Sequence, residues 1–137
     1  MKKILFLSLI SLLLTNCSTN SINNNNPYIP NYSFSISINT DLAAYNNLKF
    51  ASNGIFYSGV GAKGIIVFNT GSGFNAFDAA CPNQPISACS TMTINGINAV
   101  CACDSEEYNL FTGLSSLKYP LKQYRVEVSG SIIRVFN

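Results

Sequence analysis

The sequence contains no histidine, few charged residues and no apolar segment long enough to cross a membrane. The absence of histidine from all 137 residues excludes histidine-based acid–base catalysis and every histidine metal ligand. Charged residues make up only 10% of the chain and hydrophobic residues 47%, which argues against a long disordered chain or a nucleic-acid-binding protein. Apart from Lys2 and Lys3 at the N-terminus, basic and acidic side chains balance, so there is no basic stripe for phosphates.

The N-terminus has the layout of a secretory signal peptide. Two lysines precede an apolar run, residues 4–14, which is shorter than the ~20 residues that a membrane-spanning helix needs. The next four residues, Leu14-Thr15-Asn16-Cys17, resemble a bacterial lipobox, in which the cysteine is acylated and becomes the new N-terminus. The alternative is ordinary cleavage that leaves a free thiol. We expect residues 1–17 to be a lipoprotein signal peptide that ends at Cys17. The mature protein is then exported to the periplasm or cell envelope, where its lipid anchors it to a membrane.

The remaining residues divide into a polar segment and one domain. Residues 18–32 are rich in asparagine and interrupted by Pro27 and Pro30, which predicts a flexible tether that contributes nothing to a core. Residues 33–137 are sufficient for a single domain with a real hydrophobic core.

Short β-like runs separated by turns fill this domain. The run at residues 63–69 is nearly all apolar, which predicts a central strand, and residues 42–48 could form a short helix. Residues 91–102 are typical of a hairpin that turns at Asn95-Gly96, and a second hairpin is expected to turn through residues 129–131. The other predicted strands are residues 33–38, 54–59 and 74–80. The pattern predicts an all-β fold, an antiparallel β sandwich or barrel.

Four cysteines lie within the domain, at positions 81, 89, 101 and 103. Four cysteines allow three disulfide pairings, and their spacing alone does not choose among them. Export favours disulfide formation, because secreted proteins fold in oxidising compartments. Coordination of a zinc ion by all four cysteines is the alternative.

Two cysteine-containing segments resemble those of a Rieske-type [2Fe–2S] domain. Residues 76–83 (AFDAACPN) are similar to the first cluster-binding segment of that family, a strand that ends in Cys-x-His. Residues 101–113 (CACDSEEYNLFTG) are similar to the second, with Tyr108 at the family's aromatic position, and residues 120–128 are similar to the segment that closes the domain. The resemblance implies a Rieske-like β domain with a small inserted subdomain of the cluster-binding type.

The resemblance ends at the histidine ligands. Members of the family bind one iron through two cysteines and the other through two histidines. Cys81 and Cys101 match the cysteine ligands, whereas Asn83 and Asp104 stand at the histidine positions. A carboxamide is a poor iron ligand, so we expect no cluster and no other cofactor; any metal that is bound would use Cys81, Cys101 and Asp104. The alternative is an electron-transfer protein that holds a [2Fe–2S] cluster with non-standard ligands.

The resemblance also implies a disulfide pairing. Rieske proteins of respiratory complexes carry an additional disulfide across their two cluster loops, and Cys103 matches one of its cysteines, which suggests a Cys89–Cys103 bond. In the absence of metal, a Cys81–Cys101 bond would replace the cluster as the link between the loops.

These observations predict a protein that is not an enzyme and has no catalytic residues. We expect a binding or structural module, with residues 82–90 and 102–107 as its interaction surface. The expected partners are a membrane, through the lipid on Cys17, and an unidentified protein. Neither a nucleic acid nor a small-molecule substrate is predicted.

Overall fold

The computed structural model describes residues 24–137, which form nine β-strands and one short 3-10 helix. The strands are β1 (Ser35–Asn39), β2 (Gly54–Tyr57), β3 (Ile65–Asn69), β4 (Phe74–Asp78), β5 (Thr93–Asn95), β6 (Asn98–Val100), β7 (Glu107–Asn109), β8 (Gln123–Ser129) and β9 (Ile132–Phe136). The predicted signal peptide, the acylation site Cys17 and the first part of the predicted tether lie outside the described residues.

The strands form two antiparallel sheets. The larger sheet has six strands in the order β1-β9-β8-β4-β3-β2, and the smaller has three in the order β5-β6-β7. Strand β8 joins the two halves of the larger sheet, because its first two residues pair with β4 and its later residues pair with β9. The three-stranded sheet is inserted between β4 and β8. The predicted all-β architecture with a small inserted subdomain is therefore confirmed.

Strand β3 is buried on both of its faces. Successive side chains of a strand point to opposite sides, so Ile65 and Val67 enter one cluster of buried residues, and Ile66 and Phe68 enter another. The nearly continuous apolar run at this position therefore reflects two buried faces, although β3 is the second strand from one edge of the sheet.

The two clusters define the interior. The sheet core lies within the curled six-stranded sheet and consists of Ile38, Leu48, Ile55, Ile65, Val67, Ala76, Tyr124, Ile133 and Val135. The insert core lies between this sheet and the insert and consists of Ile66, Phe68, Phe77, Ala79, Cys81, Met92, Ala99, Cys101, Tyr108, Leu110 and Leu121. Because Cys81 and Cys101 belong to the insert core, the candidate site is continuous with the hydrophobic interior.

Both predicted hairpins form, with small shifts of their turns. Asn95 pairs with Asn98, so the first turn consists of Gly96 and Ile97 and is one residue later than predicted. The glycine there has a φ of +59°, a left-handed conformation that glycine adopts without steric cost. In the second hairpin, Ser129 pairs with Ile132, which leaves two residues in the turn.

The predicted helix is present as a 3-10 helix, Ala43–Lys49, one residue later than expected. Its only buried residue is Leu48, which joins the sheet core. No helix within residues 24–137 is long and apolar enough to cross a membrane.

Residues 24–32, the described part of the predicted tether, lie against the domain. The side chain of Ile29 is only 2% exposed, although the sequence predicted that residues 18–32 contribute nothing to a core. The side chain of Asn26 donates a hydrogen bond of 2.8 Å to the carbonyl oxygen of Pro82, the residue after Cys81. An asparagine-rich segment can dock in this way because its carboxamides hydrogen-bond to backbone groups of the domain.

Candidate functional site

The candidate site consists of two loops that follow β4 and β6. Cys81 comes shortly after β4 and Cys101 directly after β6, and a disulfide joins them. Both residues are almost fully buried, with 1% and 0% exposure. The N–H of Cys81 donates to the carbonyl of Ser90, and the N–H of Cys101 donates to the carbonyl of Glu106. The backbone of each loop is therefore folded tightly around its cysteine.

A second disulfide, between Cys89 and Cys103, lies nearer the surface. Cys89 is exposed and Cys103 is half-buried. The sulfur atoms of Cys81, Cys101 and Cys103 all lie within 4.8 Å of one another. The four cysteines thus form one compact cluster, which we divide into an inner disulfide (Cys81–Cys101) and an outer disulfide (Cys89–Cys103). These are the two pairs that the family resemblance suggested.

Asn83, which the sequence resemblance matched to the first histidine position of the Rieske family, is engaged in three hydrogen bonds. Its Nδ2 donates to the hydroxyl of Tyr108 at 2.9 Å and to the carbonyl oxygen of Tyr119 at 2.8 Å. Its Oδ1 accepts a hydrogen bond of 2.9 Å from the N–H of Tyr119. Both N–H donors of the carboxamide are therefore used, and the side chain ties the first loop to the segment before β8.

Asp104, which the sequence resemblance matched to the second histidine position, is exposed and shapes the second loop. Its Oδ1 accepts a hydrogen bond of 3.0 Å from the N–H of Glu106, as in a typical Asx turn. Within residues 24–137, the metal-ligand atoms that lie close together here belong to Cys81, Cys101 and Cys103, and Asp104 is not among them.

The residue after Asp104 adopts a backbone conformation that favours glycine. Ser105 has a φ of +62°, and its N–H donates to the carbonyl of Cys101. A left-handed conformation is uncommon for residues other than glycine, so Ser105 adopts it because the surrounding loop constrains it there.

Glu106 and Glu107 each have a separate structural partner. The carboxylate of Glu106 accepts hydrogen bonds from the hydroxyl and the N–H of Ser116, and the serine hydroxyl lowers the pKa of this glutamate. The carboxylate of Glu107 accepts from the side chain of Asn98 at 2.7 Å. The two glutamates therefore attach the second loop to its neighbours and are not paired with each other.

Several residues of the site have no recognisable signal in the sequence. The side-chain nitrogen of Gln84 donates a hydrogen bond of 3.0 Å to the sulfur of Cys101. The hydroxyl of Ser87 lies 3.2 Å from the sulfur of Cys89 and 3.7 Å from that of Cys103. A glutamine or serine in a loop has no periodicity or motif that could identify such contacts.

Tyr108 was expected only as an aromatic side chain at a family position, but its hydroxyl is part of the site. The residue is fully buried in the insert core, and its hydroxyl accepts the hydrogen bond from Asn83. Burial raises the pKa of Tyr108, while the hydrogen bond from Asn83 acts in the opposite direction. The phenol therefore remains protonated well into alkaline conditions.

A buried polar cluster supports the first loop at its base. Asp78, the last residue of β4, is fully buried and accepts hydrogen bonds from the Tyr124 hydroxyl and from the N–H groups of Ala62 and Ala80. Burial and the adjacent carboxylate raise the pKa of Tyr124. Because Asp78 precedes Cys81 by three residues, its hydrogen bonds define where the cysteine loop begins.

Comparisons with known proteins show resemblance at the level of structure only. No protein-family model and no curated protein matches the sequence. A chain from the complex of reduced oxygenase and oxidised ferredoxin in carbazole 1,9a-dioxygenase matches with 21% identity and a TM-score of 0.50, covering 76% of this chain and 92% of that one.

Two ferredoxin structures have lower TM-scores. The ferredoxin of carbazole 1,9a-dioxygenase from Nocardioides aromaticivorans IC177 is 16% identical, with 63% of this chain and 86% of that chain covered and a TM-score of 0.45. The Sphingomonas yanoikuyae B1 ferredoxin is 13% identical, with 64% and 88% covered and a TM-score of 0.46.

The fold follows from the match to the dioxygenase complex together with the sheet topology. That match spans most of both chains, and the inserted three-stranded sheet carries the two cysteine loops. At this level of identity, the similarity establishes the architecture alone. This chain has the β fold of Rieske-type ferredoxins.

Proposed function

We propose that this protein is an exported lipoprotein whose Rieske-type domain binds no iron–sulfur cluster and acts as a non-catalytic binding or structural module. The observation that carries the proposal is the inner disulfide, which uses both cysteines at the family's ligand positions. Cysteine binds iron as a thiolate, so a cysteine in a disulfide is not available as a ligand.

The environment of Asn83 supports the absence of a cluster. A metal at this position would have to compete with the hydrogen bonds that the carboxamide makes to Tyr108 and to the backbone of Tyr119. Carboxamide oxygen is also a weak ligand for iron in comparison with imidazole or thiolate. Loss of these hydrogen bonds would leave partly buried polar groups unpaired, and that cost opposes metal binding.

The proposed interaction surface is the end of the domain formed by the two cysteine loops. Exposed apolar side chains occur there or close by, at Ile86 in the first loop and at Leu114 and Leu117. The hydrogen bonds between Glu106 and Ser116 hold the segment that contains these leucines beside the second loop. Apolar residues on an exposed surface suit a protein partner that buries them.

The lipoprotein part of the proposal is supported by residues 1–17 and has its own test. Expression in a bacterial host should give a protein whose N-terminal residue is Cys17, with a mass increased by acyl chains. A Cys17→Ala variant should lack the acyl mass and leave the membrane fraction. Acyl-free wild-type protein in the soluble fraction would refute lipidation.

Electron transfer through a [2Fe–2S] cluster is a second candidate, favoured by the proximity of three sulfur atoms. The sulfurs of Cys81, Cys101 and Cys103 lie within 4.8 Å of one another, a spacing that would suit a shared metal centre after reduction. Fold similarity to ferredoxins supports the same alternative.

A combined mass and metal measurement separates the two candidates. We expect the protein purified without reductant to be colourless, free of iron and acid-labile sulfide, and four hydrogens lighter in its domain than the reduced chain. A brown preparation with iron and sulfide in equal amounts would contradict the proposal. Anaerobic reconstitution of the reduced protein provides a second test, with Cys81→Ser as its control, because an iron signal that survives this substitution is not held at the site.

A further inference from the structure

The two disulfides lie at different depths but close together. The inner disulfide is almost inaccessible to solvent, whereas Cys89 of the outer disulfide is exposed. Cys103 is half-buried between these two environments, and its sulfur lies within 4.8 Å of both inner sulfurs. A reductant in solution can therefore contact the outer disulfide, while the inner one is within reach of Cys103.

The geometry points to a relay for thiol–disulfide exchange, in which an external dithiol reduces the outer disulfide and Cys103 transfers the two electrons to the inner disulfide. This inference rests on the proposed function in one respect, because it requires Cys81 and Cys101 to be a disulfide and not cluster ligands. It goes beyond that function by assigning a redox activity to the four cysteines, with exposed dithiols as the class of electron donor.

The first stage is an exchange at the surface. A thiolate of the dithiol attacks the sulfur of Cys89, a bond forms between these two sulfurs, and the Cys89–Cys103 bond breaks with Cys103 leaving as a thiolate. The second thiol of the donor then attacks the mixed disulfide. The donor leaves with a disulfide between its own two sulfurs, and Cys89 is released as a thiolate.

The second stage takes place inside the cysteine cluster. The Cys103 thiolate attacks the sulfur of Cys81, and Cys101 leaves as a thiolate and takes up a proton from solvent. Cys89 then attacks Cys103, which restores the outer disulfide and releases Cys81, again with uptake of a proton. The net reaction converts the donor dithiol to a disulfide and the inner disulfide to two thiols, so electrons and protons balance.

Neighbouring polar groups are placed to stabilise the thiolates that form in these steps. Gln84 already donates a hydrogen bond of 3.0 Å to the sulfur of Cys101, the leaving group of the second stage. The hydroxyl of Ser87 lies 3.2 Å from Cys89 and 3.7 Å from Cys103, and the hydroxyl of Ser90 lies 3.9 Å from Cys103. Hydrogen bonds to a charged acceptor are stronger than those to a neutral one, so these contacts favour cleavage.

The decisive experiment measures the rate at which the inner disulfide is reduced with and without the outer cysteines. Full-length protein is treated with dithiothreitol, quenched in acid at intervals, alkylated and mapped by mass spectrometry. We expect the inner disulfide to be reduced at least tenfold more slowly in Cys89→Ser/Cys103→Ser than in the wild type. If the outer disulfide acts only as a shield, its removal should accelerate inner reduction, so an equal or faster rate overturns the relay.

A single substitution tests the internal transfer directly and does not depend on the double variant. In Cys89→Ser, Cys103 has no outer partner, and we expect a measurable fraction of the protein to carry a Cys81–Cys103 bond with Cys101 free. Folding is verified by the same far-ultraviolet circular dichroism as the wild type. A folded variant in which Cys103 stays entirely free and Cys81–Cys101 intact overturns the relay.

Iron and acid-labile sulfide are measured on the same wild-type preparation. A bound cluster would refute the proposed function and the relay together. A cluster-free protein whose inner disulfide is reduced independently of Cys103 would refute the relay alone.

Discussion

The six-stranded sheet and the three-stranded insert are stabilised by different means, although both consist of antiparallel strands. Strands of the larger sheet are four to seven residues long and enclose the sheet core, whereas each strand of the insert has three residues. Strands this short bury little apolar surface by themselves. The insert instead contains both disulfides, and Asn83 ties its first loop to the adjoining segment before β8. The comparison suggests that covalent bonds add to the burial of the insert core where strands are short.

Reduction of both disulfides should have the largest effect on stability. The insert and the six-stranded sheet should respond differently to it. Each bond closes a loop of roughly 15–20 residues, which contributes about 3 kcal/mol in the chain-entropy model. We expect the amides of β5, β6 and β7 to lose protection from hydrogen exchange while those of β3 and β9 keep theirs. Simultaneous loss of protection in both regions would show that the disulfides stabilise the whole domain.

Truncation of a residue in the sheet core should have its main effect on the six-stranded sheet. Ile65 is fully buried, so Ile65→Ala should lower the free energy of unfolding by about 2–5 kcal/mol and weaken all six strands together. Chemical denaturation without reductant measures this effect. Val128 on β8 is 53% exposed and provides the control, because Val128→Ala should change stability by less than about 0.5 kcal/mol. Similar losses in both variants would contradict the assignment of Ile65 to the core.

Substitution of Asn83 tests whether this residue is structural. Asn83→Ala removes three hydrogen bonds and leaves the Tyr119 N–H without this partner, so we expect a loss of about 1–3 kcal/mol in unfolding free energy. The exposed Asn46 offers a matched control, and Asn46→Ala should be nearly neutral. Unchanged stability combined with lost iron binding would instead identify Asn83 as a ligand.

The smallest predicted effect concerns the hydroxyl of Tyr108 and appears at high pH. Tyr108→Phe should cost about 1 kcal/mol at neutral pH through the lost hydrogen bond with Asn83. Burial raises the pKa of Tyr108 in the folded protein above its ordinary value of 10.0. The stabilisation linked to this shift is therefore complete below pH 10.0 and is lost as the pH rises through the folded-state pKa.

Stability curves of the wild type and Tyr108→Phe between pH 8 and 12 measure this linkage. We expect the two curves to converge above pH 10.0, because only the wild type loses this contribution. Burial lowers the pKa of Lys122, so stability rises with pH between the folded-state pKa of this lysine and its ordinary value of 10.5, but this effect is common to both proteins and cancels in their difference. Parallel curves over the whole range would show that the Tyr108 hydroxyl has no linked titration.

Local sequence patterns were sufficient to predict most strands of the larger sheet. The apolar run at β3 and the glycine-containing turns correctly indicated strands and hairpins, because periodicity and turn chemistry are properties of neighbouring residues. Strand β7 was not predicted, since its three residues, Glu107–Asn109, are too few to show a period. It forms because β6 lies alongside and supplies pairing partners.

The sequence by itself determined an all-β domain, the spacing of its cysteines and the absence of histidine, and its resemblance to the Rieske family drew attention to Asn83 and Asp104. Only the tertiary structure decided what these two residues do. It engages the carboxamide of Asn83 with groups 25 and 36 residues away, docks Ile29 against the domain, and brings the sulfur of Cys103 next to the inner disulfide. Such contacts depend on how distant segments meet in space, and a linear pattern of residues contains no measure of that distance.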